Sequence, residues 1–202
     1  MKESLVGIKN IIFDLGGVIL DIDYQKTIDE FGKLGVIDFQ TIFSQSNQNE
    51  ISDKFEKGEI TENEFYESIK EIAGVDFSFS QYQFAWNALL LELPLERIEL
   101  LKKLKNKYRL FLFSNTNETH YKSFRTKVES DFDDIFEKKY YSHEFGRRKP
   151  DESSFEEIMN ENKLNPKETL FIDDSIQHIE GAKNLGIHTF FYKNTTLFQF
   201  FE

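Results

Sequence analysis

Short apolar runs alternate with helix-like stretches over most of the chain. Three of these runs are rich in β-branched and aromatic residues and end in a polar cluster: NIIFDLGG (10–17), YRLFLFSNTN (108–117) and TLFIDDS (169–175). A fourth run, GIHTFFY (186–192), follows another helix-like stretch. Strands that alternate with helices are typical of βαβ units, which build a parallel sheet with helices on both faces. We therefore predict an α/β fold with a parallel sheet at its core.

The segment between Asp23 and Pro94 has a different pattern. No β-rich run occurs there, and stretches with helical periodicity dominate, such as ISDKFEKGEITENEFYESIKEIAG (51–74). We predict two regions, which are a sheet-containing core formed by residues 1–22 and 94–202 and a helical insertion formed by residues 23–93. A helical subdomain placed beside a crevice is suited to act as a lid.

Each polar cluster is predicted to lie at the carboxyl end of its strand. Ligands of open parallel sheets bind at that edge, so we expect the three clusters to meet in one crevice. Asp14 ends the first strand, and a carboxylate can attack phosphorus or a saturated carbon to form a covalent intermediate that water cleaves. The glycines that follow, Gly16 and Gly17, let backbone amides approach a bound oxyanion. Taken singly, such an aspartate is more often a turn or helix-capping residue.

The other two clusters offer complementary chemistry. Asp173 and Asp174 are adjacent carboxylates, which need a cation or a proton to be tolerated side by side. Oxygen ligands of this kind suit Mg²⁺, although a helix cap and a solvated residue would explain the pair as well. The middle cluster supplies hydrogen-bond donors to a phosphoryl oxygen from Ser114, Asn115 and Thr116.

A single lysine has a conformation that its neighbour restricts. Lys149 precedes Pro150, and a residue before proline is held in an extended conformation. A lysine fixed in the crevice would neutralise charge on both a nucleophile and a phosphate, whereas most lone lysines are solvated surface groups.

Composition limits the expected partners and location. The chain has 202 residues, of which 36 are acidic and 25 basic, for a net charge of −11. A surface with this average charge repels nucleic acids and anionic membranes, whereas a local cation still binds a small phosphate ester. There is no cysteine, which suits a reducing cytoplasm. We therefore expect a cytoplasmic protein with a small-molecule substrate and neither a nucleic acid nor a membrane as partner.

The order and spacing of four motifs, FDLGGV, LFSNTN, GRRKP and FIDDSIQHIEGA, resemble the haloacid dehalogenase superfamily of aspartate-nucleophile hydrolases. The resemblance spans essentially the whole chain and is greatest to the subfamily with a helical cap inserted after the first motif, which includes bacterial sugar-phosphate phosphatases of the glucose-1-phosphate type. It implies a Rossmann-like core and Mg²⁺-dependent hydrolysis of a small phosphate monoester through an aspartyl-phosphate.

The resemblance also implies a role for each motif position. Asp14 matches the nucleophile, and Ser114 and Lys149 match two further catalytic residues. Substrate-binding roles are implied for Gly17, Asn115 and Thr116. The implied metal ligands are Asp14, Asp173, Asp174 and the backbone carbonyl of Gly16. His178 stands where many members have another aspartate, so it receives no metal role.

Gly16 stands where most phosphatases of this superfamily have an acid–base aspartate. General acid–base catalysis contributes about 10²–10⁴-fold, so its loss slows the reaction without abolishing it. Asp21 and His120 are candidates to replace the missing carboxylate. Without a replacement, we expect a preference for substrates with acidic leaving groups.

Alternative functions remain open at this point. A 2-haloacid dehalogenase uses the same aspartate on carbon and also lacks the second carboxylate, but the members of that family carry a halide-binding arginine in the cap. The first arginine of this chain is Arg97, beyond the predicted insertion. A non-catalytic binding protein would explain Gly16, whereas the retained nucleophile, lysine and acidic pair argue against it. Gly16 also argues against a sugar phosphomutase, which relies on the missing aspartate.

Overall fold

A computed structural model describes residues 5–37, 39, 43–44, 47–48, 50–193 and 197–201. Within them, five parallel strands form one sheet in the order β3–β2–β1–β4–β5. The strands are β1 (Asn10–Phe13), β2 (Arg109–Ser114), β3 (Lys138–Tyr141), β4 (Thr169–Asp173) and β5 (His188–Phe191). The central strand β1 pairs in parallel with β2 on one side and with β4 on the other. This topology confirms the predicted α/β fold with a Rossmann-like parallel sheet.

Helices connect the strands and fill the segment between β1 and β2. They are α1 (Tyr24–Lys33), α2 (Glu50–Glu56), α3 (Glu62–Ala73), α4 (Phe79–Asn87), α5 (Leu95–Leu104), α6 (Glu118–Arg125), α7 (Ser142–Phe145), α8 (Glu152–Glu161), α9 (Ile176–Asn184) and α10 (Leu197–Phe201). In the part of the chain that the structure describes, no helix has both the length and the apolar character needed to cross a membrane.

Two hydrophobic clusters, one on each face of the sheet, explain why its strands read as continuous apolar runs. Successive strand residues point to opposite faces, so Ile11 and Phe13 join one cluster and Ile12 joins the other. Residues of α5, α6 and α10 cover the first face, and residues of α8 and α9 cover the second. Because both faces are covered, all four residues of β1 are buried.

The segment between β1 and β2 has its own aromatic cluster. Phe55 of α2 stacks on Phe65 of α3 with 4.3 Å between ring centroids, and Trp86 of α4 packs against Phe65 at 4.8 Å. All three rings are buried. Two short strands, Phe43–Ser44 and Asn47–Gln48, pair antiparallel in this segment. The sequence did not predict them, because two-residue strands leave no alternating pattern.

The chain crosses between the core and this segment twice, and the two crossings lie side by side. The Asp21 amide donates to the Glu92 carbonyl, and the Leu91 amide donates to the Asp21 carbonyl, each at 2.9 Å. Next to the crossings, the buried Thr27 hydroxyl donates to the Trp86 carbonyl at 3.2 Å and accepts from the Leu89 amide at 3.1 Å. The start of α1 is thereby tied to the end of α4. The division into a core of 1–22 and 94–202 and an insertion of 23–93 stays a prediction.

Thr27→Val tests this connection. Valine has nearly the same shape but leaves the Leu89 amide without the Thr27 acceptor and removes one donor from the Trp86 carbonyl, so we expect the free energy of unfolding to fall by about 1–3 kcal/mol. Urea denaturation measures the change. The matched control is Thr126→Val, whose exposed hydroxyl donates to the Ser123 carbonyl, and we expect it to change stability by less than about 0.5 kcal/mol. Equal effects of the two variants would contradict the role given to Thr27.

Candidate active site

The carboxyl edge of the sheet holds the predicted site. Asp14 follows β1, Ser114 ends β2 and Asp173 ends β4. A cavity of about 110 Å³ opens at this edge, between the sheet and the segment 23–93. Its lining from the sheet side includes Asp14, Gly16, Ser114, Asn115, Thr116 and Asp174. The three polar clusters of the sequence therefore meet in one place, as expected.

Three carboxylates lie close together here. One oxygen from each of Asp14, Asp173 and Asp174 lies within 4.8 Å of the others. Burial, which outweighs the attraction of Lys149, raises the pKa of Asp14 to about 6. Burial and then repulsion by Asp14 and Asp173 raise the pKa of Asp174 to about 7. The cluster therefore holds more negative charge than its surroundings compensate.

Lys149 supplies the positive charge in this cluster. Its side chain is fully buried, and its Nζ lies 2.7 Å from Asp14 Oδ1 and 2.8 Å from Asp173 Oδ2. The ammonium also donates to the Phe113 carbonyl at 2.8 Å. Burial alone would lower the pKa of Lys149, but the two carboxylates raise it above its ordinary value, so the lysine stays charged. One buried cation thus links β1, β2 and β4.

Asn115 lines the cavity, and its side-chain amide also holds this lysine in place. Its Nδ2 donates to the Lys149 carbonyl at 2.8 Å, and its Oδ1 accepts from the Lys149 amide at 2.9 Å. Both ends of the side chain therefore have partners within the protein, and the substrate-binding role that the resemblance implied for Asn115 stays a prediction. The contact joins residues 34 positions apart, and no local pattern in the sequence signals it.

The neighbouring hydroxyl residues differ in their contacts. Thr116 is anchored through its backbone, since its amide donates to Ser142 Oγ at 2.9 Å and its carbonyl accepts from the same hydroxyl at 2.8 Å. Ser114 is buried at the cavity wall, and its hydroxyl makes a contact of only 3.5 Å with the Asn115 carbonyl. Ser114 therefore has the weaker internal hydrogen bond, which suits a group that donates to a ligand.

The two adjacent aspartates have different surroundings. Asp173 accepts from the Ser175 amide at 2.7 Å and contacts His178 Nδ1 at 3.0 Å, in addition to Lys149. Burial raises the pKa of Asp173, but Lys149 and His178 outweigh it and leave the pKa below its ordinary value. The protein itself thus compensates Asp173, whereas the charges of Asp14 and Asp174 are those that a cation would neutralise. This set of oxygen donors fits a hard divalent cation such as Mg²⁺.

Gly17 has a steric role. Its φ is +76°, and a Cβ at this position would lie 2.2 Å from Asp174 Oδ2, so only glycine admits this carboxylate. Its amide donates to the Leu20 carbonyl at 2.8 Å. This amide is therefore engaged within the protein, and the substrate-binding role that the resemblance implied for Gly17 stays a prediction.

Neither group suggested as a replacement for the missing acid is well placed. Asp21 forms an ion pair with Arg97 at 2.7 Å and is not part of the cavity lining. His120 lines the cavity, but its Nε2 donates to the Trp86 carbonyl at 2.9 Å and its Nδ1 accepts from Asn117 at 3.0 Å. Burial lowers the pKa of His120 to about 4, so the ring is neutral and both nitrogens are occupied.

Sequence reasoning missed three titratable residues of the lining, which are Tyr24, Glu56 and Arg148. Arg148 precedes the motif lysine, and its guanidinium contacts Glu56 Oε2 and Asp53 Oδ1 of α2, each at 2.9 Å. Nothing in the sequence distinguishes Glu56 from the many other acidic residues of the helical segment. The adjacent arginines in GRRKP were a weak signal that a second cation lies near the site.

Comparisons with known proteins show the family of this chain. A family model described as haloacid dehalogenase-like hydrolase matches residues 8–186. The D-ribitol-5-phosphate phosphatase of Bacteroides thetaiotaomicron is 32% identical over 188 residues, which are 91% of this chain and 91% of the phosphatase.

Solved structures that resemble this chain include enzymes of the same family. A HAD family enzyme of Bacteroides thetaiotaomicron, in complex with magnesium and inorganic phosphate, has a TM-score of 0.86 and 36% identity, covering 96% of this chain and 100% of that one. A HAD-like family hydrolase from Porphyromonas gingivalis has a TM-score of 0.81 and 30% identity, covering 95% and 94%. The L-2-haloacid dehalogenase of Xanthobacter autotrophicus, at 17% identity, a TM-score of 0.64 and coverage of 95% and 80%, shares the fold alone.

Asp174→Asn tests the excess of negative charge. The pKa of Asp174 is raised from its ordinary value of 3.8 to about 7, so this group contributes stability below about pH 4 that is lost as the pH rises through 7. In metal-free protein at about pH 8, the neutral asparagine should therefore raise the melting temperature, by about 2–4 °C for each kcal/mol of relieved repulsion.

The same comparison at about pH 5 is the internal control, because Asp174 is then protonated in the folded wild type and the gain should shrink. Added MgCl₂ should raise the melting temperature of the wild type more than that of the variant. A variant that melts below the wild type at the higher pH without metal would contradict the electrostatic argument.

Proposed function

This chain belongs to the haloacid dehalogenase-like hydrolases, and we propose that its reaction is the Mg²⁺-dependent hydrolysis of a small phosphate monoester with Asp14 as nucleophile. One observation carries the proposal: the carboxylates of Asp14, Asp173 and Asp174 meet at the sheet edge, with the Lys149 ammonium buried against two of them. A dense acidic cluster that contains a nucleophile and a fixed cation is suited to phosphoryl transfer, where positioning and charge stabilisation dominate catalysis.

The cation would be held by the least compensated carboxylates. These are Asp14 and Asp174, with Asp173 and the backbone carbonyl of Gly16 as further candidate ligands. Bound Mg²⁺ would neutralise negative charge on a phosphoryl oxygen, which would allow an anionic carboxylate to approach the phosphorus atom. Gly17 supports this arrangement because it admits the Asp174 carboxylate.

The residues of the chain would divide the remaining work. The Asp14 carboxylate attacks phosphorus, the bond to the leaving oxygen breaks, and the resulting aspartyl-phosphate is hydrolysed by water. Lys149 lies against Asp14 and stabilises charge on the nucleophile and on the phosphoryl group. Ser114 donates its hydroxyl to a phosphoryl oxygen.

A sugar phosphate or polyol phosphate is the proposed substrate class. The similarity to a D-ribitol-5-phosphate phosphatase over nine-tenths of both chains supports it, as does a cavity of about 110 Å³, which suits a small leaving group. The cytoplasmic location and the expectation that neither nucleic acid nor membrane is a partner stay predictions.

The 2-haloacid dehalogenase alternative is less well supported. It requires a free arginine for the departing halide, whereas Arg148 at the cavity is ion-paired with two carboxylates. A dehalogenase would also leave the repulsion between Asp14 and Asp174 without a cation to relieve it.

Phosphate release from a panel of sugar and polyol phosphates tests the proposal. We expect turnover with Mg²⁺, loss of turnover in EDTA, and a fall in kcat of more than about 10³-fold in Asp14→Asn, which removes the nucleophile. The control is Asp131→Asn, which breaks only an exposed ion pair with Lys102 and should keep full activity.

Three outcomes would count against the proposal. Undiminished turnover in Asp14→Asn would show that another nucleophile is responsible. Halide release from 2-chloropropionate without phosphatase activity would favour the dehalogenase. Metal-dependent ligand binding without any turnover would favour a binding protein.

A further inference from the structure

Glu56 is a cavity carboxylate to which neither the motifs nor the proposed mechanism gives a role. It ends helix α2 and lines the same cavity as Asp14 and Asp174. Its side chain is only 11% exposed. Among the described residues of the cavity lining, it is the carboxylate that the segment 23–93 contributes.

The proposed reaction lacks a proton donor for the leaving oxygen, because residue 16 is glycine. Other titratable side chains of the described lining are engaged within the protein or buried. His120 is neutral with both nitrogens occupied, and His178 is held by Asp173 at 3.0 Å. Burial raises the pKa of Tyr24 far above its ordinary value, so its phenol gives up a proton reluctantly.

Glu56 combines a place in the cavity wall with a pKa near neutrality. Burial raises its pKa to about 6, against the opposing attraction of Arg148 and Lys149 and with added repulsion from Asp53. A carboxyl group that titrates near neutrality can both give and take a proton at working pH. Arg148 holds Glu56 Oε2 at 2.9 Å, which fixes the direction of the carboxyl group.

We propose that Glu56 is the general acid and base of the reaction and takes the place of the carboxylate that Gly16 lacks. The inference rests on the proposed phosphatase function. It assigns proton transfer to the segment 23–93 instead of to the nucleophile loop, and it makes Arg148 a positioning residue.

The reaction has two steps, and Glu56 gives a proton in one and takes a proton back in the other. In the first, Asp14 forms a bond to phosphorus, the bond from phosphorus to the ester oxygen breaks, and the Glu56 carboxylic acid gives its proton to that oxygen. In the second, the Glu56 carboxylate takes a proton from the water that attacks phosphorus, and the bond from phosphorus to Asp14 breaks. The sum is ester plus water giving alcohol plus phosphate, with Glu56 returned to its acid form.

This assignment changes the expected leaving-group dependence. Without an acid, rates would fall steeply as the leaving alcohol becomes more basic, as the sequence led us to expect. With Glu56 as donor, the wild type should show a shallow dependence, and Glu56→Gln should show a steep one. Single-turnover release of the leaving group isolates the step concerned.

The test compares a polyol phosphate, D-ribitol 5-phosphate, with p-nitrophenyl phosphate, whose leaving group needs no proton. In Glu56→Gln the polyol phosphate rate should fall by about 10²–10⁴-fold and the aryl phosphate rate by less than about tenfold. The matched control is Glu50→Gln on the same helix, which breaks an exposed ion pair with Lys54 and lies outside the cavity lining, and its rates should stay near those of wild type.

A second variant tests whether a carboxylate at position 16 can replace that of Glu56. A Cβ at Gly16 would meet only Ile22 side-chain atoms, the nearest at 3.4 Å, so the backbone has room for a side chain to begin there. Gly16→Asp combined with Glu56→Gln should recover at least about tenfold of the lost polyol phosphate rate, because it restores a carboxyl proton donor.

Equal losses with both substrates, or no loss with either, would overturn the role of Glu56 while leaving the phosphatase proposal standing. A wild type without Mg²⁺-dependent turnover would overturn both. If Glu56→Gln fails to fold, the wild type alone decides: a shallow leaving-group dependence supports the inference and a steep one contradicts it.

Discussion

The arrangement of this site depends on one buried cation. The Lys149 ammonium is fully enclosed and lies within 2.8 Å of carboxylates that follow or end two different strands, and it also bonds a carbonyl of a third strand. A buried charge of this kind is tolerated only with close partners of opposite sign, and removing any partner leaves an uncompensated charge. The lysine therefore fixes the relative positions of Asp14 and Asp173. Asp14 and Asp174 carry excess negative charge because a single lysine lies beside a cluster of three carboxylates.

The core was predictable from the sequence because its strands are buried on both faces. Such strands are apolar at consecutive positions, so a polar residue marks where the strand leaves the sheet. Asp14, Ser114 and Asp173 were located in this way. The pairing of Lys149 with Asp14 came from the motif resemblance, because no local pattern connects residues so distant in sequence.

Other features depend on contacts that sequence patterns do not encode. The side chain of Asn115, for which the sequence implied only substrate binding, also fastens the backbone of Lys149. Glu56 belongs to an amphipathic helix, where an acidic residue is ordinary, and its burial results from how α2 meets Arg148. Such long-range contacts become visible only when the helical segment and the sheet are seen together.

The adjacent glycines of the first loop differ in how much space each leaves for a side chain. A Cβ at residue 17 would overlap Asp174, whereas one at residue 16 would meet only Ile22 side-chain atoms. The backbone at position 16 therefore leaves space in which a side chain can begin. Position 17 leaves no such space, since every amino acid other than glycine adds the Cβ that would overlap Asp174. A side chain can therefore begin at the first glycine without displacing backbone, whereas the second glycine must be kept for the Asp174 carboxylate to hold its place.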